Sequence, residues 1–299
     1  MKSRFNLTQL VTLSFFFSLL MIASCQKENS QSGSEQQQEI EASKVSSESD
    51  SESEMVFNGI FDDAMGVNDE VGMGGIGIFG RTTACPDVTI VRLNATSPFP
   101  VKIILDFGVD GCRGNDGHLR RGKIVTIYTG RLLYPGSMAT TTFDGFYFDS
   151  TKVEGTHKIT NTSPPITTQP PSRQFTADVI NAKLTRRNGD FSEWNSHKVI
   201  TQLEGFGTIM PLDDIFKVEG NARGKVKRGA LIVLWESTIT EPLVKRFNCR
   251  WIVKGRVRIV RANTPVTSPW VAVLDFGTGT CDNQAVITIN GVSHQITLP

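Results

Sequence analysis

Apolar and polar positions divide the chain into stretches of different character. A largely apolar run extends from Leu10 to Ala23 and includes three consecutive phenylalanines, Phe15 to Phe17. From Gln26 to Glu54 the apolar signal all but vanishes, Ser, Glu and Gln dominate, and no aromatic residue occurs. Residues 55–66 regain apolar positions near helical spacing, with Val56, Ile60, Ala64 and Val67 on one face. That spacing predicts a short amphipathic helix, weakened by Gly59. A Gly-rich connector then reaches residue 80.

After Arg81 the texture becomes short runs rich in Val, Ile, Thr and Phe, broken every 8 to 12 residues by Gly, Pro, Asn or Asp. Val88–Val91, Val101–Leu105, Ile124–Tyr128, Leu231–Trp235, Trp251–Ile259 and Ala285–Ile289 read as strands. Asn290-Gly291 between two alternating runs is a strong two-residue hairpin signal, and Asn188-Gly189 is a second one. Long helical patterns are missing from the body, which argues against parallel α/β architecture. The expected class is all-β: antiparallel, hairpin-rich sheets, either sandwich-like or a long curved meander, with a short N-terminal helix after a disordered tether.

The pattern repeats internally. Leu105-Asp106-Phe107-Gly108 is followed after three residues by Cys112, and Leu274-Asp275-Phe276-Gly277 after three residues by Cys281. Lys152-Val153-Glu154-Gly155 is echoed by Lys217-Val218-Glu219-Gly220. The echoes do not fall in one tandem order, so they imply repeated strand–turn units. Prolines at 164, 165, 170 and 171 exclude a central strand and mark a linker or long loop, a candidate division of the body near 163–172.

The first residues add a destination. Lys2 and Arg4 precede the apolar run, which is of signal-peptide length and too short to span a membrane. It ends in Ile22-Ala23-Ser24-Cys25, which resembles a lipobox of bacterial lipoprotein precursors. This resemblance implies cleavage after residue 24 and acyl chains (palmitate among them) on Cys25, with more than one chain needed for stable anchorage. No Asp follows Cys25 directly; Gln26-Lys27-Glu28 is similar to the export signal of Bacteroidetes surface lipoproteins. Residues 25–54 then read as a lipidated acidic tether. Eight acidic residues against Lys27 and Lys44 keep it extended, and its composition cannot offset the entropy of ordering. Four of the 31 basic and eight of the 30 acidic residues lie in the first 54, leaving 27 and 22 in the remainder. A body so mildly basic lacks the footprint of a nucleic-acid binder.

Once Cys25 carries lipid, Cys85, Cys112, Cys249 and Cys281 form an even set in an oxidising compartment. Four cysteines allow three connectivities. Cys85–Cys112 and Cys249–Cys281 are preferred, because each second member follows the repeated Leu-Asp-Phe-Gly and each first member starts a strand upstream. Spacing gives no zinc motif. Asp106, Asp110 and Asp116, with Asn115, cluster oxygen ligands in one Gly-rich stretch that could hold Ca²⁺, although ordinary turns use the same residues. Lys254, Arg256 and Arg258 alternate along one strand and share a face, which is either plain solvent surface or an anion-binding stripe. Gly72-Met73-Gly74-Gly75-Ile76-Gly77 fits a nucleotide-loop spacing without the strand–turn–helix that would give it meaning. His118, His157, His197 and His294 are scattered, and Glu193, Glu204, Glu219 and Glu236 have no pairing legible in sequence. No cofactor is implied.

Taken together, the lipobox, the Ser/Glu/Gln tether, Cys85-Pro86, Leu-Asp-Phe-Gly-x3-Cys112, Arg121-Gly122-Lys123-Ile124-Val125-Thr126, Tyr134-Pro135-Gly136-Ser137, Lys152-Val153-Glu154-Gly155-Thr156 and Gly277-Thr278-Gly279-Thr280-Cys281-Asp282-Asn283 resemble uncharacterised lipoproteins of the Bacteroidetes. The resemblance implies the outer membrane, at its periplasmic face or the cell surface, and brings no known activity. The leading expectation is a non-catalytic binding or structural β module, held to the membrane through Cys25, with a glycan or envelope protein as partner. A hydrolase of envelope or host glycans and a calcium-dependent adhesion module are the alternatives.

Overall fold

In the computed structural model, residues 26–66, 85–114, 116–165, 167, 172–207, 213–249, 251–262 and 271–298 are described. Among the described residues one helix, α1 (Gln26–Met65), precedes fourteen strands. They are β1 (Asp87–Arg92), β2 (Val101–Asp106), β3 (Cys112–Arg113), β4 (Leu119–Tyr128), β5 (Met138–Phe148), β6 (Thr151–Asn161) and β7 (Gln174–Thr185), followed by β8 (Phe191–Glu204), β9 (Ile215–Arg228), β10 (Leu231–Arg246), β11 (Ile252–Arg261), β12 (Ala272–Thr278), β13 (Gln284–Ile289) and β14 (Val292–Thr297). The expected all-β class holds. The strands form one antiparallel sheet in chain order, with the short β3 paired to β4 outside that path, and the sheet is not closed into a barrel. Every strand foreseen from the alternation is present. Asn290 and Gly291 both have positive φ (49° and 76°), as a two-residue turn of this hand needs.

The proline-rich stretch is a connection inside this sheet. Its flanking strands β6 and β7 pair over most of their length, and Thr162 N–H donates to the Gln174 carbonyl at 2.8 Å. The chain divides elsewhere, into Met1–Ala42 and Ser43–Pro299. Residues 1–24, read above as a signal peptide, Cys25, the 72–77 glycine motif and Asn115 lie outside the described residues.

Pairing registers shift within β4–β5, β5–β6, β6–β7, β7–β8, β9–β10 and β11–β12. Such bulges bend strands and increase twist. Two glycines show what they require. Gly155 (φ 119°) has room for no Cβ, since one would stand 2.7 Å from the Ala182 Cα. Gly255 (φ 115°) would set a Cβ 2.5 Å from the Pro242 carbonyl oxygen. The Lys-Val-Glu-Gly echo now has a physical content. In β6 and in β9 the Lys and Glu bridge on the outer face (2.7 and 2.8 Å), the Val is buried, and the Gly has positive φ.

The helix departs from expectation. It begins at Gln26, not near residue 55, and its part from Ser43 belongs to the same compact unit as the sheet. Ser43, Ser46, Ser47, Ser49, Asp50, Ser51, Ser53 and Glu54, read from composition as solvated tether, are buried there. Glu and Gln are good helix formers, so the backbone preference was present in the sequence. The serines are reconciled with burial by bonding back to their own helix. The hydroxyls of Ser47, Ser51 and Ser53 donate to the carbonyls of Ser43, Ser47 and Ser49 at 2.8–2.9 Å.

Candidate functional site

The buried face of the sheet meets the helix with polar as well as apolar groups. Along β8 the inward positions are Ser192, Trp194, Ser196, Lys198, Ile200 and Gln202, all buried. Trp194 stacks on Phe57, ring centroids 5.6 Å apart and planes 22° apart, and its indole N–H donates to Asp50 Oδ1 at 2.9 Å. The same oxygen accepts from Trp235 Nε1 at 3.3 Å and from Ser237 Oγ at 3.1 Å. Burial raises the Asp50 pKa above the ordinary carboxylate range, against the opposing pull of Lys198 and the indole donors.

Four further helix acids each find a cation on the sheet. Glu52 accepts from Arg186 (2.6 Å) and Arg228 (3.2 Å), and Glu54 pairs with Lys198 at 3.0 Å. Asp62 pairs with Lys245 at 2.5 Å, and Asp63 with Arg120 at 2.9 Å. At the last turn the Tyr128 hydroxyl donates to the Ala64 carbonyl, one of the acceptors a helix end leaves open. Burial pushes Asp62 up to about 6 despite Lys245, and raises Asp63 despite Arg120. The helix therefore covers the buried face of the sheet, and Glu52, Glu54, Asp62 and Asp63 each meet a cation there.

Inside this interface Nδ1 of His157 and Oγ of Ser196 have no hydrogen-bond partner among the described residues and line a partly open cavity of about 20 Å³, the room one water needs. Desolvation lowers the His157 pKa to about 4, so the ring is neutral near pH 7.

The sequence-predicted residues sort as follows. Both preferred cystines are present, Cys85–Cys112 and Cys249–Cys281, with Cα atoms 6.3 and 5.9 Å apart. The two Leu-Asp-Phe-Gly units form the same turn. Asp106 Oδ1 accepts from Gly108 N–H at 2.9 Å, and Asp275 Oδ1 from Gly277 N–H at 2.8 Å. The second oxygen of each takes a cation from the neighbouring strand toward the middle of the sheet, Lys123 at 2.9 Å and Arg256 at 2.7 Å. Phe107 and Phe276 turn into the core.

These contacts bear on both candidate ligand sites. Asp106 is engaged by Lys123, Asp116 is held in a two-point pair by Arg120, and Asp110 is exposed in the turn between them. Burial would raise Asp116, but the Arg120 guanidinium holds it below the usual range. Among the described residues no group of three His, Cys, Asp or Glu side chains is placed to hold a metal. Lys254, Arg256 and Arg258 do share the outer face of β11, yet Arg256 is bound to Asp275 and Glu241, at 2.7 Å each.

Two open depressions mark the outer face. One, of about 520 Å³, is lined by Asp106, Arg121, Lys123, Asp144 and Tyr147, with the Arg121 guanidinium 3.9 Å from the Tyr147 ring centroid. The other, of about 480 Å³, is lined by Asn195, His197, Asn221, Arg223, Glu236 and Thr238. At its margin His197 Nδ1 lies 2.6 Å from Asp178 Oδ1. Sequence reading missed the helix acids and their partners, because a polar segment beside an apolar body carries no periodic signal of burial. Comparisons with family models, curated proteins and solved structures found no match to this chain.

Proposed function

We propose that this chain is a non-catalytic β module held at the outer membrane by lipid on Cys25, whose own helix serves as the internal strap of the body. The observation that carries the reading is the occupation of the buried sheet face by helix α1, with Asp50, Glu52, Glu54, Asp62 and Asp63 each matched by donors or cations of the sheet. The helix begins at Gln26, one residue after Cys25, and its part from Ser43 belongs to the compact unit of the sheet. What remains for a partner is the outer face, with its two shallow polar depressions; their size suits a sugar unit or a protein side-chain cluster better than an enclosed reaction.

The first test is detergent-phase partitioning of the protein expressed in a lipoprotein-processing bacterium. Wild type enters the detergent phase and Cys25→Ala stays in the aqueous phase. Equal partitioning of the two overturns the anchor. The partner reading is tested by a glycan array read for binding and for product release; turnover of any glycan overturns the non-catalytic reading.

A further inference from the structure

Two adjacent cross-strand rows lie where the β7–β8 and β9–β10 hairpins turn. One runs Thr185, Phe191, Lys227, Ile232, and the next Lys183, Glu193, Lys225, Leu234. Leu184, Ser192, Val226 and Val233, which alternate with them, are buried, so both rows face away from the helix. Ile232 and Leu234 are each 53% exposed. Lys183 and Lys225 lie against the Phe191 ring, 4.8 and 5.6 Å from its centroid, so ring and lysine stems form one apolar base beneath ammonium groups. The ion pairs at this end are those of Arg186 and Arg228 with Glu52; Lys183, Lys225 and Lys227 make none among the described residues. Glu193 stands between Lys183 and Lys225 as the one acid of the rows, and Arg187 adds an exposed cation at the hairpin tip.

Exposed apolar side chains beside unpaired cations fit the boundary of an anionic bilayer, where ammonium groups meet phosphates and Ile and Leu reach the acyl region. An anionic polysaccharide would satisfy the cations and leave Ile232 and Leu234 in water. Ser49 and Glu52 bond to Ser192, Arg186 and Arg228 at this end, so the helix turns nearest Ser43 lie beside the same lip within this unit.

We infer that this lip of the sheet docks on an anionic membrane surface. The inference rests on the proposal that Cys25 holds the chain at a membrane, and it adds a second, protein-borne contact.

The test uses the full-length chain carrying Cys25→Ala, free of lipid, in co-sedimentation with vesicles of phosphatidylcholine and phosphatidylglycerol in equal parts. Binding is expected to these vesicles, to weaken with salt, and to be absent from pure phosphatidylcholine. Reversing Lys183, Lys225 and Lys227 to Glu together is expected to lower partitioning by more than about a hundredfold. If that variant does not fold, the triple change to Gln replaces it, with a smaller loss in the same direction. Ile232→Ser with Leu234→Ser is expected to weaken the binding that survives salt. No vesicle binding, equal binding of the charge-reversed protein, or sedimentation with polygalacturonate but not with vesicles overturns the inference. The protein in this assay bears no lipid, so its failure leaves the anchor to be judged by detergent partitioning alone.

Discussion

Trp194 on β8 donates its indole N–H to the Asp50 carboxylate of the helix at 2.9 Å while its ring stacks on Phe57, seven residues further along the same helix. One side chain thus joins polar and apolar recognition of the helix. Asp50→Ala leaves the donors of Trp194, Trp235 and Ser237 without their shared acceptor. Burying unsatisfied groups of this kind costs about 1–3 kcal/mol each, so a loss of roughly 3 kcal/mol is expected in urea unfolding. Asp50→Asn keeps an acceptor and should lose clearly less; equal losses for the two would show that packing, not the carboxylate, matters here.

Lys198 and Glu54 meet at 3.0 Å with side chains 6% and 10% exposed. Removing one partner of such a pair strands the other. Lys198→Met is expected to destabilise by about 3–5 kcal/mol, and the double change Lys198→Met, Glu54→Met to recover most of that loss. A double variant no better than the single one would contradict the pairing.

Stability should respond to pH through His157. Its pKa is lowered from 6.5 to about 4 in the folded protein. Below pH 6.5 the unfolded chain takes up a proton that the folded ring refuses, so this contribution is lost as pH falls from about 6.5 to about 4. Asp62 acts with the opposite sign. Its pKa is raised from 3.8 to about 6, so the folded protein binds the extra proton, and stability is gained as pH falls through that window. The two offset each other in wild type. In His157→Gln only the carboxylate contribution remains, and the variant should gain about 2 kcal/mol relative to wild type between pH 7 and pH 5. Chemical unfolding at the two pH values measures this; parallel behaviour of both proteins would place the His157 pKa near its ordinary value.

The cystines close loops between residues 27 and 32 positions apart. Cys85→Ser with Cys112→Ser, or Cys249→Ser with Cys281→Ser, should each cost about 2–4 kcal/mol and lower the melting temperature without changing the far-ultraviolet dichroism of the sheet. Non-reducing peptide mapping that joins Cys112 to Cys281 would overturn the connectivity itself.

The strands were legible because their signal is local. Ile124 to Tyr128 and Leu231 to Trp235 announce themselves by β-branched alternation, and Asn290-Gly291 by turn chemistry that no other dipeptide serves so well. The preferred cystines were legible through the repeat, since each follows a Leu-Asp-Phe-Gly turn. The helix between Ser43 and Glu54 was not legible. Hydrophobic periodicity finds a buried helix only when burial is apolar, and this one is buried by serine hydroxyls bonded to its own carbonyls and by acids matched across the interface. Lys198, Gln202 and Ser192 hide on β8 for the same reason: each looks like a solvent-facing residue until its partner is in place.

By itself, then, the sequence determined the class of structure, the antiparallel strands, the turns and the cysteine pairs, all of which depend on neighbours a few residues away or on a repeated unit. Only the tertiary structure decided that a single sheet in chain order encloses a polar helix, that Asp106 and Asp116 serve Lys123 and Arg120 of their own chain, and which cations are left unpaired on the outer face. Those outcomes depend on pairs such as Asp50–Trp194 and Asp62–Lys245, more than a hundred residues apart in sequence, whose favourable energy exists only once the strands between them have taken their places.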